Sequence, residues 1–156
     1  MIKTIILTLC LIATVLSANE PKEHKHLPYD VSASLLQSID SDAIILGSGE
    51  KVLYVFIDPL CPHSRKFISM VYKNPMMLSK YQYRFLLYSI PRLKSTDVVS
   101  AVYMSEHSIE MLLKIMIDEK ILYDKGNEMT RAKVHRIRAV AQELNVYKRP
   151  YIFIVK

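Results

Sequence analysis

The sequence has very little cysteine, only Cys10 and Cys61 in 156 residues. It has no internal repeat and no low-complexity tract, which excludes repeat architectures and long disordered stretches. It also lacks a hydrophobic run long enough for a comfortable membrane span. The apolar stretch from Ile5 to Leu16 follows Lys3 and gives way to the small residues Ser17 and Ala18. That is the layout of a secretory signal peptide, residues 1–18, cleaved near Ala18. Cys10 leaves with that segment, and the bulky Leu9 before it argues against lipoprotein processing. Cys61 is then the only thiol of the exported chain, so an internal disulfide is excluded. An unpaired cysteine in an exported protein is a reactive group or an accident, not a staple.

What is present suits one globular domain: a hydrophobic fraction of 51% and a net charge of +6. The domain is large enough to hold together by its core. Lysines and arginines are scattered, and the densest cluster, Arg131, Lys133, Arg136 and Arg138, falls on one expected helix. In an exported protein this reads as a solvated helix face, not a nucleic-acid surface. His24 and His26 lie in the polar, proline-punctuated arm 19–33, and Cys61 with His63 makes two neighbouring ligands. Neither set is enough for a closed metal site, and no cofactor is expected.

Hydrophobic patterning places the elements. "VSASLLQSID" fits a short helix, "AIIL" a brief strand and "GSGE" a turn. "KVLYVFID", Lys51 to Asp58, is apolar on both faces and reads as a central strand stopped by Pro59. A helix is expected from Pro62 to Tyr72, broken at Asn74 and Pro75. A second strand is expected from Tyr81 to Ile90, then two helical stretches between Ser95 and Leu122. An amphipathic helix follows with Thr130 as its cap, and a last strand is opened by Pro150. Strand, helix, strand, helices, strand is an α/β order with at least one parallel crossover.

Cys61 stands where a strand turns into a helix. A thiol reacts as its thiolate, and three neighbours can favour that anion. The helix start offers free amides and the positive end of its dipole, with Pro62 suited to the first helical position. His63 brings an imidazole, and Ser64 a hydroxyl able to donate to the sulfur. The alternative is a buried cysteine acting as a small hydrophobe.

"VFIDPLCPHS" resembles the active-site segment of the thioredoxin-fold disulfide oxidoreductases of the bacterial periplasm, the Dsb family. Cys61 and Ser64 stand at the two ends of its Cys-X-X-Cys motif. Pro62 and His63 resemble the DsbA pair, while Asp58 and the layout from Ala43 to Tyr88 are closer to the DsbC/DsbG isomerases. The resemblance runs from about Ser34 to Val155 and includes "LNVYKRPYIFIV". It implies a thioredoxin-like domain, 34–156, with a helical insertion before the cis-proline strand and Pro150 beside the sulfur. Arg149, Pro150 and Tyr151 would form the edge that takes an extended peptide, with the Arg149 cation favouring the thiolate or drawing an acidic partner.

Three departures shape the expected function. Ser64 replaces the resolving cysteine, so the chain cannot store two electrons as its own disulfide. Arg149 replaces a small or uncharged residue. The sequence ends at Lys156, before the last strand and helix of the family, so an open strand edge is expected that a partner chain can cover. The resemblance implies periplasmic thiol-disulfide exchange on exported proteins through one cysteine, isomerase-like or mixed-disulfide forming, with glutathione or a membrane reductase as the regenerating partner. The alternative is a catalytically degenerate thioredoxin-fold module that binds peptides or a partner protein.

Overall fold

The computed structural model describes residues 26–155. The expected signal peptide with Cys10, and His24 and Lys156, lie outside them. Among the described residues are four strands, six α-helices and two 3₁₀ turns. The strands are β1 (Ile44–Leu46), β2 (Lys51–Ile57), β3 (Tyr81–Leu87) and β4 (Tyr151–Ile154), in the spatial order β1-β3-β2-β4. β2 and β3 run parallel, and β1 and β4 are antiparallel to their neighbours.

The two-faced apolar pattern of β2 makes it a central strand. Val55, Phe56 and Ile57 are fully buried because each face of the sheet has its own core. Leu53, Val55 and Ile57 meet α2 (Pro62–Tyr72), α4 (Thr96–Met104) and α5 (Ser108–Met116). Tyr54 and Phe56 meet α1 (Tyr29–Ser38) and α6 (Glu128–Glu143). The result is a three-layer α/β/α domain, with α4 and α5 as the expected helical insertion before the proline strand.

Several local expectations shift. The first helix begins at Tyr29, two residues before "VSASLLQSID", because Ser32 N–H already bonds to Pro28 C=O at 3.0 Å. Asn74 and Pro75 end α2 but also start a short helix, α3 (Pro75–Lys80), since the Asn74 carboxamide accepts from the amides of Met76 and Met77. β3 stops at Leu87, three residues short of Ile90, because the Ile90 amide turns away to the Asp58 carboxylate. Thr130 is not the cap of α6. Asn127 is, its Oδ1 accepting from Thr130 N–H at 2.9 Å, while the Thr130 hydroxyl donates to Met104 Sδ. Asn127→Ala should therefore lower stability by about 1 kcal/mol, seen as a lower urea midpoint with an unchanged slope; Thr130→Ser should leave the cap intact.

Glycines 47 and 49 seat the β1–β2 connection on the α3–β3 junction. Gly47 has φ +87°, and a Cβ on Gly49 would lie 2.0 Å from the Lys80 carbonyl carbon, so neither position admits a side chain. β4 forms one edge of the sheet. Tyr151 points into the α1/α6 core, while Ile152 and Ile154 lie exposed toward the other face.

Candidate active site

The C-terminal ends of the parallel strands β2 and β3 are where the backbone leaves the sheet and where α2 and α4 begin. β2 ends at Ile57, and the turn from Asp58 to Cys61 closes with Cys61 N–H on Asp58 C=O at 3.0 Å. Cys61 caps α2 in an extended conformation, φ −76° and ψ 121°, with Pro62 in the first turn. Its carbonyl accepts the first helical bond, from Arg65 N–H at 3.0 Å. The thiol thus sits at the amide-rich end of the helix, as the pattern of strand, proline and helix start implied.

The second wall comes from 88 residues further along the chain. The Arg149–Pro150 bond is cis, and the Arg149 carbonyl oxygen is the hydrogen-bond partner of Cys61 Sγ at 4.0 Å, a long contact even for sulfur. Cys61 and the Arg149–Pro150 edge are therefore brought together. Cys61 is only 4% exposed, so little of the thiol is open to a reacting group.

The other candidate residues divide. Pro62 and His63 are exposed, and among the described residues the His63 side chain has no hydrogen-bond partner. Ser64 is fully buried, and its hydroxyl accepts from Asp58 N–H at 3.3 Å. The expected hydroxyl–sulfur bond is not among the hydrogen bonds of the described residues, because the tight turn directs Ser64 back at the strand end. Tyr151 places its ring in the α1/α6 core against Tyr147 and Phe153, so only its backbone can serve a docking edge. His26, Lys148, Pro150 and Ile152 help line a cleft of about 450 Å³ alongside.

Arg149 is turned inward. Its guanidinium carbon lies 3.7 Å from the centre of the Tyr88 ring, Nε donates to Tyr88 C=O at 3.2 Å and Nη1 to Val146 C=O at 3.4 Å. Burial pulls its pKa below the ordinary arginine value, against the favourable influence of Tyr88, Asp58 and Cys61. The cation expected to reach out for an acidic partner is spent on holding the proline edge to β3's end.

Asp58, at the end of β2, holds the site together in a way the local pattern does not show. The side chain is fully buried and gathers Leu60 N–H at 2.8 Å, Ile90 N–H and the Ser95 hydroxyl at 2.6 Å. Ser95 also bonds Ser89 at 2.8 Å. One carboxylate thereby ties the cysteine turn to the loop after β3 and to the start of α4. The available signal was an acid ending an otherwise apolar buried strand. Among the described residues no cluster of three or more metal-ligating side chains exists, and no helix is long and apolar enough to cross a membrane.

A sheet ordered β1-β3-β2-β4, a capping cysteine at the first helix after the central strand and a cis-proline opening the edge strand make up a thioredoxin-like fold. Solved structures agree. Helicobacter pylori DsbG aligns with TM-score 0.64 and 21% identity over 81% of this chain and 61% of its own. A periplasmic thioredoxin-like protein from Salmonella enterica serovar Typhimurium gives TM-score 0.56 and 14% identity over 83% and 86%. The thiol-disulfide exchange protein α-DsbA2 from Wolbachia pipientis gives 0.54 and 14% over 81% and 86%. The chain thus spans about 61% of the DsbG structure. No protein-family model matches the chain, and no curated protein does. At such identities the likeness carries the fold.

Proposed function

We propose that this chain is exported to the periplasm and performs thiol-disulfide exchange on protein substrates through Cys61 alone. The observation that supports this best is the meeting of the only described thiol, at the start of α2, with the Arg149–Pro150 edge. In the first step the Cys61 thiolate attacks one sulfur of a substrate disulfide. A Cys61–substrate disulfide forms, and the other sulfur leaves as a thiolate that takes a proton from water or from His63. A second thiol, on the substrate or on glutathione, then attacks the mixed disulfide and returns Cys61 as thiolate. If the second thiol is the substrate's own, no net electrons move and the outcome is isomerisation. If it is glutathione, the substrate keeps it as a mixed disulfide until a second glutathione attacks and leaves as oxidised glutathione. A dithiol membrane reductase instead attacks the Cys61 sulfur, frees the substrate thiol and closes its own disulfide to release Cys61. In both cases the substrate ends reduced and the partner oxidised. Ser64 has no sulfur to resolve the intermediate, so its lifetime depends on the partner.

The test is capture. Mature protein isolated from its own cells under alkylating, non-reducing conditions should carry disulfide-linked exported proteins or glutathione, and Cys61→Ala should abolish every adduct. Adducts that persist in the variant, or none in the unaltered protein, would refute the proposal.

A second reading has its own observation. Cys61 is 4% exposed and its thiol faces a backbone carbonyl, which suits a degenerate module that binds extended peptides at Pro150. The iodoacetamide reaction separates the two: for the exchange reading the folded protein should react within about tenfold of the urea-unfolded chain. Protection by more than about a hundredfold, the signature of a thiol freed only by opening of the fold, would favour the binding module.

A further inference from the structure

The sequence crowds Arg131, Lys133, Arg136 and Arg138 onto α6, and the fold sorts them by partner. Arg136 gives the Asp42 carboxylate two bonds of 2.9 and 2.8 Å, and Lys133 Nζ lies 5.0 Å from the centre of the Tyr103 ring. Arg131, His135 and Arg138 repeat at i, i+4 and i+7 and share a different stripe. With Lys125 they face the first turns of α4 across a cleft of about 420 Å³ whose floor includes Val134. Arg131 gives one nitrogen to Gly126 C=O at 2.9 Å. Among the described residues none of these four side chains forms an ion pair, although Asp97 stands in the same wall.

Three cations, Lys125, Arg131 and Arg138, face the single carboxylate of Asp97, and the net positive field of the cleft draws anions. The stripe is extended. Arg131 to Arg138 covers seven residues, about 10 Å of helix. That is more than one phosphate group spans and equals about three residues of extended chain. The head of α4, one wall of the cleft, is also tied to the cysteine turn by buried hydrogen bonds. Ser95, directly before α4, bonds the Asp58 carboxylate at 2.6 Å, and Asp58 C=O holds Cys61 N–H at 3.0 Å.

We propose that the α4–α6 cleft docks an acidic segment, rich in Asp and Glu, of the protein whose disulfide Cys61 attacks. This rests on the exchange reading above and adds a substrate class to it. Arg149, whose carbonyl faces the thiol, has its guanidinium committed to Tyr88, so selection for acidic partners falls to this separate groove.

The test uses the full mature chain and two synthetic peptides, each with one cysteine activated as a 2-thiopyridyl disulfide and a fluorescein tag. One carries four glutamates and the other four glutamines. Release of 2-thiopyridone reports attack by Cys61, and the neutral reagent 2,2′-dipyridyl disulfide reports the bare chemistry. The glutamate peptide is expected to react about tenfold faster than the glutamine peptide at low salt, as charge steering allows, with the advantage fading toward half-molar salt. Arg131→Glu with Arg138→Glu should bring the ratio to one or below without changing the neutral reaction. Both sites are exposed; if the double reversal misfolds, Arg131→Gln with Arg138→Gln should still cut the ratio by more than half. A ratio near one in the unaltered protein would overturn the proposal, as would a ratio unmoved by the variants. Stronger competition by inorganic phosphate or an oligonucleotide than by an unactivated glutamate peptide would do the same. If the neutral reagent fails to react, the exchange reading falls instead. Anisotropy of the tagged glutamate peptide on Cys61→Ala protein then still decides whether the cleft docks it.

Discussion

Asp58→Ala should cost about 3–5 kcal/mol of folding stability, because it strands two buried backbone donors and strips the Ser95 hydroxyl of its charged acceptor. Leu60 N–H and Ile90 N–H belong to the backbone and cannot move to water without unravelling the loops they hold. The Ser95 hydroxyl keeps only its Ser89 contact. The site is fully buried, so the loss is not screened by solvent. Asp58→Asn keeps the volume but turns one acceptor into a donor aimed at other donors, and should cost about 2 kcal/mol. Ser95→Ala removes a single donor and should cost about 1 kcal/mol. Urea unfolding gives all three values. In the folded Asp58→Ala protein the Cys61 turn also loses its tie to Ile90 and Ser95, so iodoacetamide should reach the thiol faster even in conditions where unfolding is negligible. A loss below about 1 kcal/mol, the cost of an ordinary exposed change, would mean the three bonds do not hold the turn.

What was legible in the sequence was what depends on near neighbours. The both-faced apolar run of β2, the Pro62 start of α2 and the α6 stripe of Val134, Ile137, Val140 and Ala141 are set by local periodicity, and each appears where the pattern put it. The expected cis bond before Pro150 is present as well. What was not legible depends on residues far apart in the chain. Asp58 gathers Ile90 and Ser95, 32 and 37 residues away, and so cuts β3 short and fixes the head of α4. Arg149 finds Tyr88 across 61 residues, which withdraws its charge from the surface. Ser64 was assigned to the sulfur because the two are neighbours in the motif, but the turn brings the Asp58 amide to the hydroxyl first. The cap of α6 is ambiguous for a simpler reason: Thr130 and Asn127 both suit the start of α6, and only the backbone path tells which stands outside the helix.

Ser64→Cys should turn the one-thiol exchange proposed for Cys61 into the chemistry of a closing dithiol. Cys61 is the capping residue and position 64 the third of the helix, so both side chains lie on one side of the first turn. Ideal helical spacing puts such Cβ atoms about 5–6 Å apart, whereas a disulfide needs about 3.5–4.5 Å. The capping residue is extended, not helical, and its freer backbone can absorb that difference. Oxidised glutathione should therefore convert the variant to an internal disulfide with release of two reduced glutathiones, read as a mass loss of two hydrogens and the disappearance of both thiols. Reduction of insulin by dithiothreitol should then be accelerated by at least about tenfold over the unaltered chain, because the second sulfur releases the mixed disulfide intramolecularly. Loss of the Ser64 acceptor leaves Asp58 N–H unpaired, so the reduced variant should be about 1 kcal/mol less stable than the parent. Two thiols that stay free in excess oxidised glutathione would show that position 64 does not face the sulfur. The resolving role would then have to be sought entirely in the partner.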